Sequence, residues 1–216
     1  MILSAVIFDL NGTVLDDEGL YNEAFNKVLG TLGVDITKPI PHEKGIGVKE
    51  NWLQLIKNLH IETDKTPEFL TAETQKEYLS KVAGTLVRPG FEDFVEGLKD
   101  SGIRVGLATS NTWEVTMEIL EKVDLLNVFD SITTAEESLY NKPDPTLFIV
   151  AADKLGAERY ECLVVEDALS GVLAARRAGM KVIAIADDDK DEKDLSGADL
   201  VVEGFSEITP KVIDQL

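Results

Sequence analysis

The chain has 216 residues, 44% hydrophobic and 28% charged, with a formal net charge of −19 at pH 7. That length accommodates one full core plus a small inserted module, and the composition is that of a globular chain rather than a disordered one. The acidic balance argues against non-specific binding to DNA, RNA or an anionic membrane, no apolar stretch approaches the length of a bilayer span, and the N-terminal residues lack a signal-peptide pattern.

A short apolar run, Val6, Ile7 and Phe8, predicts a central parallel strand over Ile2–Asp9, covered on both faces. Asp9 ends it, and Gly12 permits a tight turn. Helical periodicity then starts at Asp16, Asp17 or Glu18 and runs through Leu20, Ala24, Phe25, Val28, Leu29 and Leu32, with Gly33 as the stop. Ile36–Pro41 reads as a loop. The segment His42–Trp52, with Gly45 and Gly47, leads into a second helix expected to bury Leu53, Ile56 and Leu59. A third helix is expected from Pro67 to Val82. Residues 16–87 therefore read as a small helical domain, inserted into an α/β core made of 1–15 and 88–216.

The α/β pattern resumes at Arg88-Pro89-Gly90. A helix with Phe91, Phe94, Val95 and Leu98 ends near Gly102. A strand at Ile103–Ala108 runs into Thr109-Ser110-Asn111. A helix over Trp113–Val123, a short strand at Ser131–Thr134 and a helix opened by Asn141–Pro145 follow. The strand Cys162–Val165 ends in Glu166-Asp167, the helix Ala168–Ala178 is capped by Gly179, and strands at Val182–Ala186 and Leu200–Val202 precede a last helix near Ile208–Leu216. Strands alternating with helices predict a doubly wound parallel sheet. Cys162, the only cysteine, sits among Leu163, Val164 and Val165 and reads as a buried thiol, which suits a reducing, cytoplasmic setting. The acidic run Asp187–Asp194 lacks the spacing of a calcium loop and reads as a solvated surface.

Four places at or after strand ends carry polar groups: Asp9 with Asn11, Thr109 with Ser110, Lys142, and Glu166 with Asp167. A parallel sheet brings such ends to one edge, where ligands of open α/β sheets bind. Carboxylates there suit a hard divalent cation such as Mg²⁺. A cation, a lysine and hydroxyl or amide donors together suit a phosphate group. Two histidines, no Ser–His pairing, no Walker loop and no GxGxxG leave few other chemistries.

The arrangement resembles the haloacid dehalogenase superfamily of phosphohydrolases over essentially the whole chain. Phe8–Thr13 follows its Asp-x-Asp-Gly-Thr motif except at one position, Thr109 its strand-end Ser/Thr, Lys142-Pro143 its Lys-Pro, and Val164–Gly171 (VVEDALSG) its acidic pair followed by a helix with glycine. The helical insert looks like the small cap of the β-phosphoglucomutase and phosphoglycolate phosphatase branch. The resemblance implies a Rossmann-like core and an aspartyl-phosphate formed on Asp9. It implies Mg²⁺ held by the Asp9 carboxylate, the backbone carbonyl of Asn11 and Asp167, with Glu166 bound directly or through water. Thr109 and backbone N–H groups near Ser110 would hold the phosphoryl oxygens, aided by Gly12 and Asn111, and Lys142 would orient Asp9. Val14-Leu15 and Arg88-Pro89 would be the two crossings to the cap.

Asn11 departs from the family, which has an acid/base aspartate there. General acid–base help is worth about 10²–10⁴-fold. Three readings follow: a natural enzyme that is slower or uses another group, a substitution that traps substrate, or a protein that binds phosphorylated ligands without turning them over. Asn11-Gly12 is also a sequence prone to deamidation, which would restore an aspartate. Candidates for substrate contact in the cap are Tyr21, His42, Lys44, Lys49 and Trp52. Lys44-Gly45-Ile46 begins like the mutase branch's loop, but Gly47-Val48 stands where that branch has Ser-Arg. The expectation is thus a phosphatase of a small phosphorylated metabolite, a monomer or weak homo-oligomer, with a phosphosugar mutase or a disabled phospholigand-binding protein as alternatives.

Overall fold

The computed structural model describes residues 3–187 and 193–216. Six parallel strands form the central sheet: β1 (Ala5–Phe8), β4 (Arg104–Ala108), β5 (Ser131–Thr133), β6 (Cys162–Glu166), β7 (Lys181–Ile185) and β8 (Leu200–Val202), in the order β5-β4-β1-β6-β7-β8. β1 is central because it pairs on both sides, Phe8 lying opposite Leu107 of β4 and Val165 of β6. The strand order reverses at β1, and the crevice for a ligand falls beyond its carboxyl end.

Strand alternation sorts β1 into two cores. Val6 and Phe8 face one layer, and Ala5 and Ile7 the other, all four fully buried. On the first face lie α4 (Phe91–Asp100) and α5 (Trp113–Lys122). There the Phe8 ring meets Phe91 edge-on at 5.4 Å and Phe94 at 6.0 Å. Burial of a ring of that size stabilises the fold by about 1.5–3 kcal/mol. On the other face, α6 (Thr146–Leu155) brings Leu147, Phe148, Ala151, Ala152 and Leu155, and α7 (Leu169–Arg177) brings Val172, Ala174 and Ala175, into one core with Ile7 and Val164. Cys162 is buried there as a free thiol.

A separate two-stranded antiparallel ribbon, β2 (Leu15–Asp16) with β3 (Leu86–Val87), carries the chain into and out of three cap helices, α1 (Glu18–Thr31), α2 (Val48–Asn58) and α3 (Pro67–Leu79). Thr66 caps α3 by accepting from Phe69 N–H, and Pro67 follows at the first helical position, as both residue types favour. In α2 the buried face is Val48, Asn51, Trp52 and Leu55, not the expected Leu53, Ile56 and Leu59: Leu53 and Leu59 are exposed. Trp52 sets the rotation. It is completely buried, 5.6 Å from Phe25, with its indole N–H donated to Thr74 Oγ1 at 2.9 Å. That makes Trp52 a cap-core residue rather than a substrate contact.

Other boundaries shift as well. The third helix ends at Leu79, and Val82 belongs to a separate turn of 3₁₀ helix. The last helix shrinks to Pro210–Ile213. Of the acidic run, Asp187 is ion-paired with Arg88 and Lys44, at 2.7 and 3.5 Å, while 188–192 lie outside the described residues.

Candidate active site

Asp9 leaves β1 still tied to the sheet, its N–H donated to Val165 O at 3.0 Å. Its carboxylate is buried, and Lys142 Nζ donates to its Oδ1 at 2.5 Å. Burial lifts the Asp9 carboxyl to about 7; Lys142 opposes the rise and Glu166 adds to it. Lys142 follows β5 by several residues on an irregular segment whose Lys142–Pro143 bond is cis. Its ammonium is fully buried, also donates to Glu166 Oε1 at 2.7 Å, and lies 4.9 Å from the centre of the Phe148 ring. Burial alone would lower its pKa, but Asp9 and Glu166 carry it above the usual lysine range.

Glu166, at the end of β6, is committed elsewhere. Its Oε1 meets Lys142, and its Oε2 accepts from the N–H groups of Asp167 and Ala168, both at 2.8 Å. Gly171 in α7 makes room for it, since a Cβ there would stand 1.7 Å from Oε1. We predict that Gly171→Ala displaces Glu166 and costs about 1–3 kcal/mol, the usual price of overpacking a tight site, read as a drop in thermal midpoint.

Among the described residues no three His, Cys, Asp or Glu side chains converge as a metal site. Of the acids expected to hold a cation, Glu166 already has both oxygens engaged in hydrogen bonds. Asp167 remains: Oδ1 accepts from Thr13 Oγ1 at 3.0 Å, and Oδ2 is buried with no hydrogen-bond partner. Burial, then Glu166, Glu18 and Asp9, push its carboxyl well above the ordinary range. Gly12 adopts φ +79° beside it, and a Cβ there would lie 2.1 Å from Oδ2. A buried, unpartnered carboxylate oxygen against a backbone kept bare of side chain fits a small hard cation shared with Asp9.

Thr109 and Asn111 are buried at the end of β4, where Thr109 Oγ1 accepts from Asn111 N–H at 3.2 Å. Ser110 Oγ donates to Gly45 O of the cap loop at 3.2 Å. Tyr21, from α1, donates its hydroxyl to Asn111 Oδ1 at 3.1 Å. The cleft between cap and sheet edge is lined by Asp9, Asn11, Thr109, Ser110 and Asn111 below, and by Glu18, Tyr21, Phe25, His42, Ile46, Val48 and Asn51 above. His42 belongs to this lining, its Nε2 3.0 Å from Glu18 Oε2 and its Nδ1 2.9 Å from Asn22 Oδ1. The structure does not bring Lys49 into the cleft. It pairs with Glu68 at 2.8 Å on the exposed side of the cap, since one residue along α2 from cleft-lining Val48 points it elsewhere. Lys44 lines a neighbouring groove with Asp167 and Ser170.

Two residues of the site escaped the sequence reading. Asp17 stands at the helix N-cap position, yet its side chain caps nothing. It is buried and turned back to the motif loop, where Oδ1 accepts from Gly12 N–H at 2.9 Å and Oδ2 from Asn11 Nδ2 at 2.5 Å. Tyr78 of α3 adds its hydroxyl at 2.5 Å from Oδ2. Burial raises the Asp17 carboxyl to about 6 against the pull of these donors. The Gly12 nitrogen would have to attack the Asn11 side chain in deamidation, and its N–H is held by Asp17. The sequence signal for Asp17 was an extra acid beside Asp16; nothing in the spacing distinguishes it from a cap. Tyr78 gave no signal beyond helical periodicity.

The haloacid dehalogenase-like hydrolase family matches residues 6–185. A phosphorylated carbohydrates phosphatase of Thermotoga maritima is 31% identical over 183 residues, 84% of each chain. Hexitol phosphatase B of Escherichia coli is 26% identical over 219 residues, 96% of this chain and 95% of that one. A β-phosphoglucomutase structure from Clostridium difficile superposes with a TM-score of 0.85 at 23% identity, covering 99% of this chain and 96% of that one, which establishes the fold. The chain belongs to the haloacid dehalogenase-like hydrolases, with a parallel-sheet core and a helical cap.

Proposed function

We propose that the protein is a Mg²⁺-dependent phosphatase acting on a small monophosphorylated metabolite, a sugar or polyol phosphate in the first instance, through an aspartyl-phosphate on Asp9. The observation that carries the reading is the Asp9 carboxylate at the end of β1, held by Lys142 at 2.5 Å and set beside the Thr109–Asn111 segment of the neighbouring strand on the same wall of the cleft. Asp9 Oδ attacks phosphorus as the bond to the leaving alcohol oxygen breaks. Water then attacks the same phosphorus, the Asp9 O–P bond breaks, and inorganic phosphate leaves as the carboxylate is regenerated; the proton that water gives up to solvent balances the one the alcohol oxygen takes from it. Mg²⁺ would be held by Asp9, the backbone carbonyl of Asn11 and Asp167, and would neutralise charge on the phosphoryl oxygens. Thr109 and the N–H groups near Ser110 hold those oxygens, and Lys142 keeps Asp9 in place. Residues 16–87 act as a cap that excludes water. The amide of Asn11 cannot carry the proton, so turnover is slow, by about 10²–10⁴-fold on the general scale for acid–base help.

The cleft lining favours this over a phosphosugar mutase. A second phosphate needs a cation; among the described residues no lysine or arginine lines the cleft above Asp9, and Lys44, in the adjoining groove with Asp167, is paired with Asp187 at 3.5 Å. Lys49 is engaged by Glu68. The names of the Thermotoga and Escherichia relatives, both phosphatases of carbohydrate or hexitol phosphates, support the same reading. Among the described residues no helix is long and apolar enough to cross a membrane, in keeping with a cytoplasmic enzyme. The test is release of inorganic phosphate from hexose and hexitol monophosphates, a hexose bisphosphate and p-nitrophenyl phosphate, each with Mg²⁺ and with EDTA. We expect Mg²⁺-dependent release that favours the monophosphates. Preference for the bisphosphate overturns the substrate class; silence on every ester overturns the phosphatase.

A further inference from the structure

We propose that Asp17 is a positioning residue: with Tyr78 it holds the Asn11 amide so that the carbonyl oxygen is its only group left to the reaction, and it does so only while the cap is seated. The inference rests on the reading of Asp9 as nucleophile, but on different contacts. The Asn11 side chain has two N–H donors and one carbonyl acceptor. Nδ2 donates to Asp17 Oδ2 at 2.5 Å and to Tyr78 Oη at 3.1 Å, so both hydrogens are taken. Asn111 Nδ2 donates to Asn11 Oδ1 at 2.6 Å, leaving one carbonyl lone pair. Asp17 as an ionised carboxylate only accepts, so it dictates which end of the amide turns toward it. The opposite rotamer would set the Asn11 and Asn111 amino groups against each other and a carbonyl against the carboxylate. The remaining lone pair can receive an O–H from the leaving alcohol or from the attacking water and align it without taking its proton. An amide turned round would instead offer N–H groups to the phosphoryl oxygens and retain phosphate.

The anchor spans the two parts of the fold. Asp17 is fixed to the motif loop by Gly12 N–H, whereas Tyr78 belongs to α3 and stacks on Tyr21 of α1 at 3.9 Å. Lifting the cap would withdraw Tyr78 and loosen the amide. The same geometry makes positions 11 and 17 a complementary amide–acid pair. An aspartate at position 11 would face the Asp17 carboxylate at the distance now bridged by an N–H, a like-charge contact. Asn11→Asp alone is therefore not a restoration, and the exchanged pair Asn11→Asp/Asp17→Asn keeps one acid and one amide.

The experiment measures kcat, KM and inhibition by inorganic phosphate with p-nitrophenyl phosphate and Mg²⁺, for the parent, Asp17→Asn, Tyr78→Phe, Asn11→Asp and the exchanged pair. It also records ¹H–¹⁵N spectra of the Asn11 side-chain amide, identified by its loss in Asn11→Asp. We expect kcat to fall about ten-fold in Asp17→Asn, the scale of one charge-assisted hydrogen bond, while phosphate inhibits more strongly. Tyr78→Phe should move both in the same direction by less, and shift the Asn11 amide signal. The exchanged pair should exceed Asn11→Asp in kcat. Unchanged kcat and amide signal in Tyr78→Phe, or Asn11→Asp outperforming the exchanged pair, overturns the proposal. If Asp17→Asn does not fold, Tyr78→Phe decides. If no version releases phosphate the phosphatase reading falls, and the amide signal still decides the positioning role.

Discussion

Methionine in place of Lys142 is expected to destabilise the protein by about 3–5 kcal/mol at pH 8 and to abolish turnover. The size follows from what is left behind. Lys142 is the cation that contacts Asp9 and Glu166, at 2.5 and 2.7 Å, and it is fully buried. Removing one partner of a buried ion pair strands the others without water or counter-charge, and that penalty is larger than the net worth of the pair. Methionine keeps the length and can still pack on Phe148, so the loss reports charge rather than a void. Adding Glu166→Gln should recover part of the stability by removing one stranded charge. Urea unfolding in EDTA checks this; equal midpoints for Lys142→Met and the parent at pH 8 would mean that the carboxylates are not ionised in the fold.

Asp9→Asn is expected to reduce phosphate release by about 10⁴-fold or more, on the scale seen when a covalent nucleophile is removed, and also to flatten the pH dependence of stability. In the metal-free fold the Asp9 carboxyl sits at about 7, above its ordinary 3.8, because burial disfavours its charge. A raised carboxyl binds its proton more tightly folded than unfolded. Its stabilisation is complete below about pH 3.8 and is lost as pH rises through about 7. The parent in EDTA should therefore lose thermal stability between pH 5 and pH 8. Asp9→Asn, with no proton to lose, should lose less. A steeper decline in the variant would contradict the assignment. The two readouts separate chemistry from folding, since a residue kept for stability alone would not trade one for the other.

The sheet and the cap were legible because their signals are local. Val6–Phe8 could be little other than a buried strand, and each polar group at a strand end inherits its place from the parallel order. Lys49 falls on the outer face of the cap for the same reason that α2 is rotated away from the expected stripe. The stripe Leu53, Ile56 and Leu59 is a plausible face by spacing, and only the burial of Trp52 between Phe25 and Thr74 decides otherwise. The partners of Glu166 are not legible from its place beside Asp167. They are Lys142, 24 residues away in sequence, and the N–H groups of Asp167 and Ala168, which directly follow it. Asp17 shows the limit most clearly. An acid before a helix reads as a cap, and its actual partners, Asn11, Gly12 and Tyr78, come from a turn and from a helix 61 residues on.

The ribbon of β2 and β3 has an evolutionary consequence. Leu15 lies opposite Val87, so the chain departs from the sheet and returns to it at neighbouring points, about 5 Å apart as in any antiparallel pair. Everything between them is a detour that the parallel sheet does not need for its own strand order. A lineage could trade that detour for another in one recombination event and keep Asp9, Lys142 and Asp167 where they are. New selectivity would then be acquired by cassette, without refolding the catalytic half.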